Sequence, residues 1–286
     1  MAHTKKNIAE FKKTIWDFYQ NNGRKFPWRK TKDPYKILVS EIMLQQTQTD
    51  RVVPFYQKWV KRFPNFKSLA SAKFSEIYPY WQGLGYNRRA LNLQKTAQKV
   101  TAEFSGKLPK DILELEKFPG IGPYTARAVA IFSFNTPVTC IETNIRRVFI
   151  HHFFPSPAGA RINADINADF RGYKIDDKEI LEIAEKALDK NNSREWHWAL
   201  MDYGAYLKTQ VKNPNRRAKN YSVQSKFEGS LRQIRGAILK NLLKKDLTKL
   251  QIVKIIKKDP QKTKVVIEAL KKEGLIKEIK KVYSLN

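Results

Sequence analysis

The sequence has a single cysteine, Cys140, so no disulfide framework can form and a reducing compartment suits the chain. Acidic residues are scarce: 27 Asp and Glu stand against 55 Lys and Arg, leaving a formal net charge of +28. Pairing cannot cancel that excess, so most of it must face solvent and attract a polyanion. A ribosome-associated protein or a merely soluble basic surface are the blander readings of the same charge. No apolar run approaches the ~20 residues of a membrane span. The N-terminus is polar through Lys13 and lacks a signal-peptide pattern. A cytoplasmic, nucleoid-associated protein without membrane contact is the expectation.

What is present points to a folded chain. Its 286 residues are 42% hydrophobic and 12% aromatic, enough for two or three domains with a proper core. The central stretch is Leu115–Ala126, which includes Phe118-Pro119-Gly120-Ile121-Gly122-Pro123-Tyr124-Thr125. An apolar helical run ends at Phe118, Pro119-Gly120 turns the chain, and Pro123 opens a second helix. Such a hairpin leaves N–H groups at a positive helix N-terminus, which suits a phosphate. Many αα-hairpins, though, use glycine for geometry alone.

Along the chain, apolar spacing predicts helices over Ile8 to Tyr19, Pro34 to Thr49, Arg51 to Phe63 and Ser71 to Tyr80. Between the first two lies Arg24-Lys25-Phe26-Pro27-Trp28-Arg29, whose indole either meets a base or plugs the core. Glu41 sits among Ile42, Met43 and Leu44. It is either a solvated face residue or a half-buried acid with a raised pKa. Trp81 to Ala90 places two glycines, Tyr86 and the pair Arg88-Arg89 at a loop-to-helix transition, which suits a ring at a base step beside a phosphate clamp. Pro137 to Val148 passes from extended chain into a helix with Glu142 or Thr143 near the N-cap, where an ionised carboxylate is favoured. Glu142 is then a functional acid or only a cap. Pro155 to Asp177 reads as a loop, and helices follow over Lys178 to Leu188 and from Ser193 through Gly204. The last sixty residues predict three helices (Leu231 to Leu243, Leu247 to Ile256, Gln261 to Lys272) and a two-stranded ribbon. That is the winged-helix order, with Lys262 and Lys264 on the third helix.

Six segments in one order, roughly residues 8 to 207, resemble the helix-hairpin-helix DNA glycosylases, and within them the MutY adenine glycosylases. They are Arg24 to Arg29, Ser40 to Thr47 (SEIMLQQT), Trp81 to Tyr86 (WQGLGY), Phe118 to Ala126, Ile141 to Val148 and Met201 to Ala205 (MDYGA). The resemblance implies a mainly α, two-lobed fold with its active site in the cleft between the lobes. Residues 1–30 with 131–225 would form one helical lobe, 31–130 a six-helix barrel carrying the hairpin, and 226–286 a winged-helix-like α+β module.

It also implies roles. Glu41 matches the acid that protonates the departing base. Glu142 stands where the superfamily normally has Asp, facing the oxocarbenium sugar, with Asn144 orienting it. Tyr124 stands where strand-nicking relatives carry a nucleophilic Lys, which implies a monofunctional enzyme. Trp28, Arg29, Leu44 and Asp202 would line the base pocket. Gln46 and Tyr86 would wedge into the duplex, and Arg88, Gly120, Gly122, Thr125, Lys262 and Lys264 would contact DNA. Two carboxylates in unlike environments suit glycosidic cleavage: apolar neighbours would raise Glu41 and the helix start would keep Glu142 ionised.

Three departures stand out: Glu142 in place of Asp, no Cys between Lys208 and Lys226 for the iron–sulfur cluster of related enzymes, and no Nudix-like terminal domain. No metal or cofactor is therefore expected. The expected substrate is double-stranded DNA with a mismatched or oxidised base, met by a monomer that removes adenine opposite 8-oxoguanine or guanine. Alternatives are removal of 8-oxoguanine, thymine or uracil on the same scaffold, a non-catalytic DNA-binding protein, or a transcriptional regulator built on the winged helix.

Overall fold

Amphipathic helices must bury their apolar stripes against one another, and this chain does so around two cores. The computed structural model describes residues 2–154, 174–223, 226–257 and 259–286; the expected loop Pro155 to Asp177 lies mostly outside them. The chain forms two compact units, Met1–Phe26 with Ala126–Val223, and Pro27–Thr125 with Gln224–Asn286.

In the first unit, α1 (Ala2–Asn22), α9 (Thr143–Phe153), α10 (Asp177–Ala187) and α11 (Ser193–Gln210) pack together, joined by most of α8 (Pro123–Phe134). Their core is aromatic: Phe11 meets Phe149 at 5.4 Å and Trp196 at 6.0 Å, and Trp16 meets Trp196 at 5.6 Å between ring centroids. Gly204 in α11 lets α9 come close. A Cβ there would stand 2.3 Å from the Asn144 carbonyl oxygen and 2.8 Å from its Cβ. Backbone cannot swing aside as a side chain can, so Gly204→Ala should lower the unfolding free energy by about 3 kcal/mol. Denaturant titration checks this, and an unchanged midpoint would refute the close packing.

The second unit holds α2 (Pro34–Leu44), α3 (Thr49–Arg62), α4 (Phe66–Ala70), α5 (Phe74–Ile77), α6 (Arg88–Glu103) and α7 (Ile112–Glu116). Buried Trp59 and Trp81 meet at 5.5 Å, and Trp59 Nε1 donates to the Tyr35 hydroxyl, which donates to the Phe63 carbonyl. The helix-hairpin-helix is α7, the turn through Gly120 and the start of α8. Gly120 takes φ +80°, and a Cβ would lie 2.9 Å from Asn92 of α6, so both geometry and space require glycine.

The same unit contains α12 (Leu231–Leu242), α13 (Lys249–Ile256), α14 (Pro260–Lys272) and a sheet ordered β1–β3–β2. The strands are β1 (Leu247–Thr248), β2 (Ile276–Ile279) and β3 (Val282–Leu285), with both pairings antiparallel. The winged-helix order holds, and the ribbon gains a third strand from Leu247–Thr248, too short for alternation to reveal. These residues pack into the unit that holds the hairpin: the Ser75 N–H donates to the Asn286 carbonyl at 3.0 Å.

Two expected helices are cut short. Pro34 to Thr49 stops at Leu44, because Gln46 adopts a left-handed φ of +54°. Ser71 to Tyr80 divides into the end of α4, a new start at Lys73 and a 3₁₀ turn over Tyr78–Tyr80. No helix among the described residues is long and apolar enough to cross a membrane.

Candidate active site

Helix α2 begins where Asp33 caps the Tyr35 N–H and Pro34 occupies the first turn. It buries Leu38, Ile42 and Met43, and Glu41 goes inside with them at 6% exposure. Its Oε2 accepts a hydrogen bond from the Tyr124 hydroxyl at 3.2 Å. Helix α2 and the hairpin thus bring the expected acid and the expected Tyr124 together. Of the two readings left open by the sequence, the solvated face residue is excluded: this carboxylate is buried among aliphatic side chains beside a phenol.

Glu142 is the N-cap of α9. Its Oε1 accepts from the Asn144 and Ile145 N–H groups at 2.7 and 2.9 Å, and Oε2 from Asn144 Nδ2 at 3.2 Å. Asn144 is held in turn: its Oδ1 accepts from Arg147 Nη1 at 2.7 Å, and that nitrogen also donates to the Gly204 carbonyl at 2.6 Å. Asn144 therefore orients Glu142, and Gly204 of the MDYGA segment anchors the arrangement. Burial pushes the Glu142 carboxyl above the usual carboxylate range, although the two backbone amides, Arg147 and Arg146 pull it down. This corrects the expectation that the helix start keeps it low. Desolvation outweighs two amides because the surrounding protein replaces water on the rest of the carboxylate.

The extended approach to Glu142 is pinned by His197. The Cys140 N–H donates to His197 Nε2 at 3.4 Å, so Nδ1 carries the proton it gives to the Ser193 carbonyl at 2.6 Å. Burial lowers this imidazole to about 4. The unfolded chain then binds the proton more tightly than the folded one. Stability should be full above pH 6.5 and fall by about 3 kcal/mol from His197 alone as pH drops toward 4. Urea titrations across that range test it, and His197→Gln should flatten the slope.

Other expected site residues are placed as follows. Trp28 is buried in a 3₁₀ turn, edge-on to Tyr56 at 5.5 Å, so its indole plugs the core. Arg29 and Leu44 are half-buried. Asp202 is not open to a base: its oxygens accept from the Arg24 backbone N–H at 2.8 Å and Nε at 2.7 Å, tying the end of α1 to α11. Thr125 is buried and accepts from Gln45 Nε2 at 3.3 Å, so its side chain packs inside rather than facing outward. Gly122 has open space at its Cβ position. Gln46, Tyr86, Arg88, Lys262 and Lys264 are exposed.

Nothing in the local pattern signals what Arg89 does. It is not half of a phosphate clamp. Its Nη1 donates to the carbonyls of Ile42 and Gln45, each at 2.6 Å, and Nη2 to Gly85 at 3.1 Å. One guanidinium thereby fastens the loop carrying Gln46 to the loop carrying Tyr86, both in left-handed conformations at φ +54° and +47°. Burial lowers its pKa to about 10, so it stays charged near neutrality.

Comparison with known proteins bears on the family and the fold. Residues 39–166 match the model of the HhH-GPD superfamily base excision DNA repair proteins. Adenine DNA glycosylases are among the relatives. One from Buchnera aphidicola (Schizaphis graminum) is 35% identical over 208 residues, 72% of this chain and 56% of that protein. One from Rattus norvegicus is 31% identical over 212 residues, 71% of this chain and 39% of that one. The chain thus spans about half the length of the curated relatives it matches. A solved thermostable thymine-DNA glycosylase has 28% identity and a TM-score of 0.62, with 76% of this chain and 94% of that one covered. Endonuclease III in a non-covalent DNA complex shares the fold, with a TM-score of 0.57 over 75% of this chain and 95% of that one, at 17% identity. The mostly helical fold, the helix-hairpin-helix and the matched segment agree: residues 39–166 carry an HhH-GPD domain, that of the superfamily of base excision DNA repair proteins.

Proposed function

We propose that this chain is a monofunctional DNA glycosylase that hydrolyses the N-glycosidic bond of a flipped base, adenine opposite 8-oxoguanine or guanine. The observation that carries the reading is the pair of acids in unlike settings: Glu41, buried beside the Tyr124 hydroxyl, and Glu142, capping α9. Glu41 protonates the departing base. Glu142 presents negative charge to the cationic sugar, with Asn144 and Arg147 fixing its orientation. Tyr124, where a strand-nicking enzyme needs an amine, leaves no group to form an imine with the sugar, so water completes the reaction. Gln46 and Tyr86 fill the stack that the base leaves. Arg88, Lys262, Lys264 and the turn at Gly120 and Gly122 meet phosphates, and Arg29 and Leu44 line the base pocket.

The protein acts as a monomer on double-stranded DNA in the cytoplasm, without a cofactor. A four-cysteine cluster does not fit the donor set: the only thiol, Cys140, is buried. Adenine is favoured by the names of the relatives. Thymine is the second reading, supported by the solved thymine-DNA glycosylase, most of whose length this chain matches.

A panel of duplexes carrying A opposite 8-oxoguanine, A opposite G, T opposite G, U opposite G and 8-oxoguanine opposite C separates the readings. Adenine should be released and strands should break only after alkali. Release of thymine or 8-oxoguanine alone would overturn the adenine assignment, and breakage without alkali would overturn the monofunctional one.

A further inference from the structure

The segment between Lys208 and Lys226 reads from sequence as polar, basic chain without a period, and the proposed reaction gives it no role. In the structure it makes a 3₁₀ turn, Pro214–Arg217, opened by Asn213, whose side chain accepts from the Asn215 N–H at 3.2 Å. The turn is fixed from behind: the Ile175 N–H donates to the Arg217 carbonyl at 3.0 Å, and the Lys219 N–H to the Ile175 carbonyl at 2.9 Å. Two of its side chains reach α9. Arg217 Nη1 donates to the Phe154 carbonyl at the end of that helix. Asn215 Nδ2 donates to the carbonyl of Thr143, the first residue of α9, at 2.9 Å.

The Thr143 bond is informative because of the peptide it holds. A peptide unit is planar, so the Thr143 C=O and the Asn144 N–H point in opposite directions from one rigid plate. That N–H is the 2.7 Å donor to Glu142 Oε1. A hydrogen bond on the oxygen fixes the plate and polarises the N–H on its other side, so it both aims and strengthens the donor. Only the nitrogen of a carboxamide can donate to a carbonyl, which sets the orientation of Asn215. Its Oδ1 is then left without a hydrogen-bond partner among the described residues, in a side chain only 4% exposed. Such an acceptor costs stability that a leucine of similar shape would not. An amide kept at that cost points to a use other than folding.

We propose that Asn215 is a positioning residue for Glu142, acting through the Thr143–Asn144 peptide. Asn144 gives Glu142 two donors, its backbone N–H and Nδ2, and each is braced through the oxygen of its own amide. Arg147 holds the side-chain oxygen and Asn215 the backbone one. The charged groups acting on Glu142 are Arg147 and Arg146 of α9, with Arg146 paired to Asp177 of α10. Asn215 adds no charge and reaches the carboxylate only through this peptide. The inference rests on the glycosylase reading for what the carboxylate does, yet its geometry is tested without any substrate.

In the full chain carrying ¹³C at the glutamate side-chain carboxyl, an NMR titration identifies Glu142 as the resonance missing from Glu142→Gln. Asn215→Leu and Asn215→Ala both remove the amide but differ in packing. Leucine fills the space and should hold or raise Tm, whereas alanine leaves a cavity and should lower it. Both should move the Glu142 midpoint to higher pH by about half a pH unit, since a weaker donor favours the protonated form. Both should slow single-turnover base release by about tenfold at neutral pH, with the acid limb of the rate profile displaced in the same sense. A midpoint unmoved in both variants would overturn the positioning role. So would rate losses that follow Tm, large for alanine and absent for leucine, which a mere brace would give. If the original chain releases no base from any duplex but the midpoint moves, the glycosylase reading falls and the positioning stands. Base release that neither variant slows, with the midpoint fixed, gives the reverse.

Discussion

Glu41→Gln and Glu142→Gln are each expected to slow base release by about 10²–10⁴-fold while duplex affinity stays near that of the original chain. Glutamine keeps the shape of the side chain and removes its charge and exchangeable proton. At position 41 the amide can still accept from the Tyr124 hydroxyl, so the fold keeps its contact and only proton delivery is lost. At position 142 an amide oxygen can still cap the Asn144 and Ile145 N–H groups, so α9 keeps its start and only the negative charge facing the sugar disappears. Single-turnover time courses with excess protein separate the chemical step from binding. A loss below tenfold in both variants would refute the two-acid mechanism and favour a protein that binds DNA without cutting it.

Position 142 adds a second readout of opposite sign. Burial holds the Glu142 carboxyl above its ordinary range, so the folded chain keeps that proton more tightly than the unfolded one. The stability associated with the protonated form is present below the unfolded carboxylate value and is lost as pH rises through the folded one. At pH 8 the ionised side chain therefore costs stability, and Glu142→Gln should unfold at a higher temperature than the original chain, while at acid pH the gap should close. A variant nearly inactive yet more stable is the signature of a functional acid held against desolvation. Loss of Tm together with activity would instead mark Glu142 as only a cap. In the original chain, activity should fade toward acid at a pH above that of an ordinary carboxylate.

How legible this was in the sequence depended on the range of the interaction. Periodic apolar spacing gave α1, α3, α9 and the three helices of the winged-helix-like module, because each reports a local stripe. The position of Glu142 at the start of α9 was also local. Its raised pKa was not, since burial comes from chain distant in sequence. Helix α2 ends at Leu44 because Arg89, more than forty residues later, gathers the carbonyls of Ile42, Met43 and Gln45. Nothing within residues 34–49 signals that. Arg88 and Arg89 look alike on paper, yet one is exposed and the other braces two loops. Asp202 reads as a pocket residue until Arg24, 178 positions away, is found on it. Arg232, 146 residues further on, donates to the Tyr86 hydroxyl, and no motif spans that distance.

Affinity for DNA is expected to fall by about 10³–10⁵ between 50 and 200 mM salt, with a slope of log K against log salt of about −5 to −9. The magnitude follows from charge that the fold does not neutralise. Arg24, Arg146 and Arg235 are committed to Asp202, Asp177 and Glu273, and Arg89 to backbone carbonyls. Those cations should add nothing to the slope. With a net charge of +28, far more remain for phosphates, among them the exposed Arg88, Lys262 and Lys264. Each cation that displaces one counterion contributes about −0.9, so Arg88→Ala and Lys262→Ala should each reduce the slope by about one. Neither should alter the rate of base release once the complex is saturated, because both are placed to meet phosphates and not the proposed acids Glu41 and Glu142. Binding isotherms at five salt concentrations, paired with single-turnover rates at each, measure both quantities. A shallow slope would mean that the excess charge serves something other than a polyanion. A steep slope that Arg88→Ala and Lys262→Ala leave unchanged would place the DNA on another face of the second unit.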